Sequence, residues 1–158
     1  MTYALDPELV TVMEALAQRS RNTPRPRRGD WQALRDIGNA GQAYLATLVP
    51  PSSGVHNSTY VATAADGASL ELRWYTTDTA GPGSAVVYAH GGGFVFCDLD
   101  SHDELCRNIA NRVPAVVISV GYRLAPENRW PAAAEDFYAA ARWAADNADA
   151  VDAFRPGA

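Results

Sequence analysis

The stretch Ala85-Val86-Val87-Tyr88-Ala89-His90-Gly91-Gly92-Gly93-Phe94 decides the fold. Its first five residues form an unbroken apolar run of strand length, the pattern of a parallel strand covered on both faces. Three glycines follow at once. Without Cβ atoms the backbone there can turn tightly, approach a ligand and aim successive N–H groups at one point, which is what holding a developing negative charge requires. Downstream, Ser101-His102-Asp103-Glu104 reads as a capping box that starts a helix, with Leu105, Ile109 and Val113 toward the core and Pro114 as its stop. Ala115-Val116-Val117-Ile118-Ser119-Val120 is a second apolar strand, so residues 85–120 form a strand-helix-strand unit. Pro131 then opens an Ala-rich helix that runs to about Ala148.

Upstream the pattern changes. Residues 57–64 and 69–75 are β-rich runs flanking Asp66-Gly67, and Leu70, Leu72 and Trp74 alternate with Glu71 and Arg73, which predicts an antiparallel hairpin. Before it lie two helical segments. The first starts at Asp6-Pro7-Glu8 and places Leu9, Met13 and Leu16 on one face; the second, capped by Asp30, repeats Trp31, Leu34, Ile37, Gly41 and Leu45 and ends before Pro50-Pro51. The expected class is α/β: an antiparallel hairpin, then a parallel βαβα unit, preceded by helices.

Composition narrows the function. The 158 residues carry a net charge of −5, and all the positive side chains are Arg. Arg19, Arg21, Arg25, Arg27 and Arg28 cluster between the two N-terminal helices, yet the overall acidity argues against a nucleic-acid partner. No apolar run reaches the roughly 18 residues of a membrane span, and the N-terminus lacks the pattern of a signal peptide. Cys97 and Cys106 are too few for a disulfide framework and lack metal-ligand spacing, so a reduced, cytoplasmic setting without a metal is expected. His56 and His102 are expected at the surface.

His90-Gly91-Gly92-Gly93-Phe94, followed after the next strand by Tyr122-Arg123-Leu124-Ala125-Pro126-Glu127, resembles the bacterial hormone-sensitive-lipase-like esterases of the α/β-hydrolase fold. Both motifs occur in that family's order and near its spacing. The resemblance implies that the N–H groups of Gly92 and Gly93 form an oxyanion hole on a loop that includes Gly91. It also implies that His90 fixes that loop rather than acting as the base. Tyr122, Arg123 and Glu127 would support the site, Arg123 and Glu127 pairing with each other or with neighbours. Phe94, Trp31 and Tyr44 become candidates for the substrate pocket. Ala125-Pro126 and Trp130-Pro131 are candidates for cis bonds, and Gly121 stands where the family commonly has Asp.

Residues 1–50 would be a helical cap region and residues 51–158 the first half of the hydrolase core, cut before the nucleophile elbow. No G-x-S-x-G occurs in the chain. Serine, acid and base would therefore lie in a missing C-terminal half or on a second chain, and the edge of the 85–89 strand would be open, inviting aggregation, partner capture or a homo-oligomer. The implied partner is a small-molecule ester, with no metal or organic cofactor. The alternative reading is a non-catalytic fragment or interaction module that uses the open edge.

Overall fold

The computed structural model describes residues 4–21, 23–78, 84–113 and 115–147. Two helices come first, α1 (Pro7–Arg21) and α2 (Trp31–Thr47), then strands β1 (Val55–Thr63), β2 (Ser69–Thr77) and β3 (Ala85–Ala89), helix α3 (Asp103–Arg112), strand β4 (Val116–Gly121) and helix α4 (Ala132–Asp146). Both N-terminal helices start as their sequences require: Asp6 Oδ1 accepts from Glu8 N at 2.8 Å, and Asp30 Oδ1 from Ala33 N at 3.0 Å. The expected end of the last helix at Ala148 lies outside the described residues, as does Pro114.

The sheet order is β1-β2-β4-β3. β1 and β2 form the antiparallel hairpin, in register from Val55 opposite Thr77 to Thr63 opposite Ser69, and Gly67 turns it with φ of 87°. The hairpin begins two residues earlier than the alternation suggests, which places His56 on β1 rather than in the preceding loop; its side chain is exposed and meets Asp78 at 3.4 Å. β2 continues antiparallel into β4, and β3 lies parallel to β4 on its other side.

Two apolar layers sandwich the sheet. Leu70, Leu72, Trp74, Ile118 and Val120 pack toward Ala140 and Ala144 of α4, where Tyr60, Trp74 and Trp143 form an aromatic trio with centroids 4.7–5.8 Å apart. On the opposite face Tyr75 and Val117 meet Cys106 and Ala110 of α3.

Three expectations about this core need correction. β3 is not covered on both faces: Ala85 and Ala89 are exposed and Val86 is 37% exposed, because no described strand lies beyond it. The core face of α3 is Cys106 and Ala110 with Ile109, whereas Leu105 and Val113 turn outward. The capping box does not form. Ser101 spends its hydroxyl on a turn with Asp98, donating to Asp98 O and accepting from Asp98 N at 2.8 Å each, and Glu104 accepts from Ser52 N instead. His102 takes the N-cap position without a capping bond.

Candidate active site

The glycine loop leaves β3 at the edge of the sheet. Its first residue, His90, is 4% exposed and stacks on Tyr122 with centroids 4.2 Å apart and planes 15° apart. Tyr122 Oη donates to His90 O at 2.6 Å. His90 Nδ1 lies 2.8 Å from Gly91 O, and since a carbonyl only accepts, Nδ1 carries the proton. Burial lowers the pKa of His90, which favours the neutral ring. His90 is thus a spacer locked between β3, the loop and the residue that follows β4.

Backbone conformation explains the glycines. Gly92 has φ of 117°, and a Cβ there would sit 2.0 Å from Phe96 O, so no other residue fits; Gly93 has φ of 60°. The Gly92 carbonyl accepts from Val95 N at 3.1 Å and Phe96 N at 3.2 Å, closing a tight turn. Among the described residues, the N–H groups of Gly92 and Gly93 bond to no protein acceptor. Phe94, with φ of 63°, is 56% exposed beside that turn and meets Tyr122 edge to face at 6.1 Å. A cleft of about 260 Å³ behind the loop is lined by His90, Cys97, Tyr122 and Leu124, among others, but not by the three glycines.

His102 is buried beside His90, centroids 5.7 Å apart, with Ser101 Oγ 3.2 Å from its Nδ1, which corrects the expected surface placement. The rotation of α3 that buries Cys106 carries it inward. Burial, with the neighbouring His90, lowers its pKa too. The two cysteines are free and buried, and burial pushes the Cys106 thiol up to about 11.

Arg123 and Glu127 do not pair with each other. Arg123 forks onto the fully buried Asp136, at 2.6 Å from Nη2 and 2.9 Å from Nε, and reaches Asp66 in the hairpin turn at 2.7 Å. Its backbone N–H also donates to Asp136. The end of β4 is thereby tied to α4 and the hairpin. Gly121 sits in a tight place: a Cβ would meet Glu71 O at 3.1 Å and the Leu99 side chain at 3.3 Å, so a larger residue requires these neighbours to give by a few tenths of an ångström. Both Ala125-Pro126 and Trp130-Pro131 are cis.

Glu127 instead binds Arg35 of α2, a residue that belongs to neither motif. Arg35 donates from Nη1 and Nη2 to the two carboxylate oxygens at 2.8 Å each, from Nε to Val95 O at 2.7 Å and from Nη2 to Ala125 O at 2.9 Å. This fork lowers the pKa of Glu127 and raises that of Arg35. Trp31 lies under the same guanidinium at 4.7 Å, whereas the ring of Tyr44 is capped by Arg19 of α1 at 4.6 Å. The only signal for Arg35 in the sequence was a lone cation beside the apolar stripe of a helix. Among the described residues no group of three or more His, Cys, Asp or Glu side chains is arranged to hold a metal, and no helix is long and apolar enough to cross a membrane.

A mixed sheet with a glycine turn after a parallel strand, backed by a buried His-Tyr stack, defines the front of an α/β-hydrolase core. Comparisons with known proteins agree. A profile described as alpha/beta hydrolase fold matches residues 86–156. The chain is 47% identical over 92 residues to an ethyl acetate hydrolase of Pseudomonas putida, covering 56% of this chain and 29% of that protein. It is 37% identical over 131 residues to the carboxylic ester hydrolase LipN of Mycobacterium tuberculosis, covering 81% of this chain and 35% of that one. A hyperthermophilic esterase from the archaeon Pyrobaculum calidifontis superposes with a TM-score of 0.76 at 37% identity, over 94% of this chain and 46% of its own. The chain therefore spans less than half the length of these relatives. It has the α/β-hydrolase fold and is similar to the first half of esterases, among them an esterase of the bacterial hormone-sensitive lipase family at 26% identity.

Proposed function

We propose that this chain supplies the cap and the oxyanion hole of a serine carboxylesterase whose nucleophile, acid and base come from outside these 158 residues. One observation carries the reading. Among the described residues, the N–H groups of Gly92 and Gly93 meet no protein acceptor, on a turn whose Gly92 no other residue can replace, directly after a parallel strand. In the assembled site a serine Oγ, deprotonated by a histidine that an acid orients, attacks the ester carbonyl carbon. The carbonyl oxygen takes up the negative charge between the two glycine N–H groups and one donor beside the serine. The histidine passes its proton to the leaving alcohol, and water then releases the acid from the acyl-enzyme. Each such donor contributes about 3 kcal/mol to the transition state.

Small esters are the proposed substrates, with Phe94 and Trp31 bordering the acyl side and Tyr44 further along α2. Two free thiols fit a cytoplasmic setting. The edge of β3, which no described strand covers, favours a second reading, in which the chain is an interaction module that recruits a strand, from a second copy or another protein, without catalysis.

Mixing or joining the chain with a segment that carries G-x-S-x-G, Asp and His tests the proposal through hydrolysis of a short-chain aryl ester. Serine-dependent turnover in the combination and none in the chain alone is expected. No turnover in the combination, with strand capture by β3 intact, would favour the second reading.

A further inference from the structure

We infer that α2 is more than a cover over the site: its Arg35-Gly38-Asn39 face is the positioning element that sets the direction of the glycine-loop amides. The inference rests on the oxyanion reading above and names residues outside the glycine motif.

Positions 35, 38 and 39 recur at three and four residues, so they share one side of the helix. Each touches a successive residue of the loop. Arg35 Nε donates to Val95 O at 2.7 Å. Gly38 faces the ring of Phe96 so closely that a Cβ would sit 2.6 Å from Cδ2. Asn39 Oδ1 accepts from Cys97 N at 2.9 Å, holding a residue whose φ is 70°. Val95 and Phe96 in turn donate to the carbonyl of Gly92, which lies in the same peptide unit as the Gly93 N–H. A shift of α2 therefore passes through one residue to an oxyanion donor.

The second arm of Arg35 makes the clamp two-sided. Nη2 reaches Ala125 O at 2.9 Å, and Ala125 N donates to Phe94 O at 2.8 Å, so the segment after β4 and the glycine loop are fastened to each other and to α2. Glu127 fixes the guanidinium in the one plane that serves both carbonyls. A lysine offers a point charge on a flexible stem and cannot span this fork. The side chain of Arg35 is only 18% exposed, which shelters these bonds from competing water.

Hydrogen exchange on the 158-residue chain and kinetics on the combined enzyme test the inference together. Arg35→Ala is expected to speed exchange at Phe96 and Cys97 about tenfold or more while the β4 amides keep their protection, which separates loop release from unfolding. Glu127→Gln, which preserves shape, should give a smaller change of the same kind. In the combined enzyme Arg35→Ala should lower kcat about 10- to 100-fold with KM within about twofold, since small misplacement of reacting groups costs rate rather than binding. Arg35→Lys should recover less than half of that loss on a logarithmic scale. Unchanged loop exchange in both the Ala and Gln variants, or an effect on KM alone, would overturn the positioning role. If the unsubstituted combination hydrolyses no ester, the oxyanion reading fails, and the exchange data still decide whether α2 holds the loop.

Discussion

β3 and β4 are parallel neighbours with similar residues, Ala85-Val86-Val87-Tyr88-Ala89 beside Ala115-Val116-Val117-Ile118-Ser119, yet their environments differ sharply. Val86 pairs in register with Val117; the first is 37% exposed and the second not at all. Composition therefore does not set burial here. β4 has strands on both sides and a helix against each face, whereas β3 has one neighbour and a free edge among the described residues. The two strands also serve different ends. β4 runs into the ion-paired brace of Arg123, and β3 runs into the glycine loop. The scaffold is finished on the side that braces and open on the side where the proposed chemistry needs a further strand.

Truncation of the core strand breaks the comparison most severely. Ile118→Ala in β4 should cost about 4 kcal/mol, as large-to-small changes at fully buried positions do, measured by urea unfolding. A cost near that of an exposed site would mean that β4 is not the centre of the fold. Next comes the brace: Arg123→Met leaves the buried Asp136 carboxylate without its cation and should destabilise by about 3 kcal/mol, with Asp136→Asn in the same background restoring part of it. Equal stability of Arg123→Met and the unsubstituted chain would show that the fork at the end of β4 is ornamental.

A smaller effect separates the two strand ends by pH. His90 and His102 have pKa values lowered by burial, so the unfolded chain binds more protons than the folded one once pH falls below the ordinary histidine value of 6.5. Their contribution is therefore fully present above that value and is lost as pH drops below it. The carboxylates with lowered values, Asp66, Asp103 and Glu127, act in the same direction only near and below about pH 4. The urea midpoint should fall between pH 7.5 and 5.5, and His90→Gln should flatten that slope; an unchanged slope would place the loss elsewhere. The smallest effect belongs to the open edge: Val86→Ala should cost less than about 1 kcal/mol in the isolated chain, and substantially more once a strand covers β3.

The element order was legible because local rules govern it. Asp66-Gly67 between alternating strands marks the hairpin, the apolar runs at 85 and 115 mark the parallel pair, and Asp6 and Asp30 cap helices as their side chains dictate. The glycine loop was legible because a turn directly after the strand calls for glycine, strictly so at Gly92, where φ of 117° and a 2.0 Å clearance leave no other residue type. What escaped depends on partners distant in sequence. Glu127 finds Arg35 across 92 positions, and no local pattern links them. The Ser101 capping box failed because Asp98, three residues back, offered a competing turn. Leu105 and Val113 exchanged places with Cys106 and Ala110 because two stripes on one short helix are both apolar enough to face a sheet, and packing alone chooses between them. β3 misled for the same reason, since a strand's sequence does not state whether its second neighbour is present.

The most direct test removes one N–H and leaves every side chain in place, at the cost only of a weaker acceptor at the Gly92 carbonyl. In the combined enzyme, replacing the amide linkage into Gly93 by an ester, so that an oxygen stands where the N–H was, keeps the turn's side chains and shape. A fall in kcat of about 100- to 1000-fold with KM nearly unchanged is the expected result for a lost oxyanion donor. A kcat within twofold of the unaltered enzyme would contradict the assignment of the glycine loop.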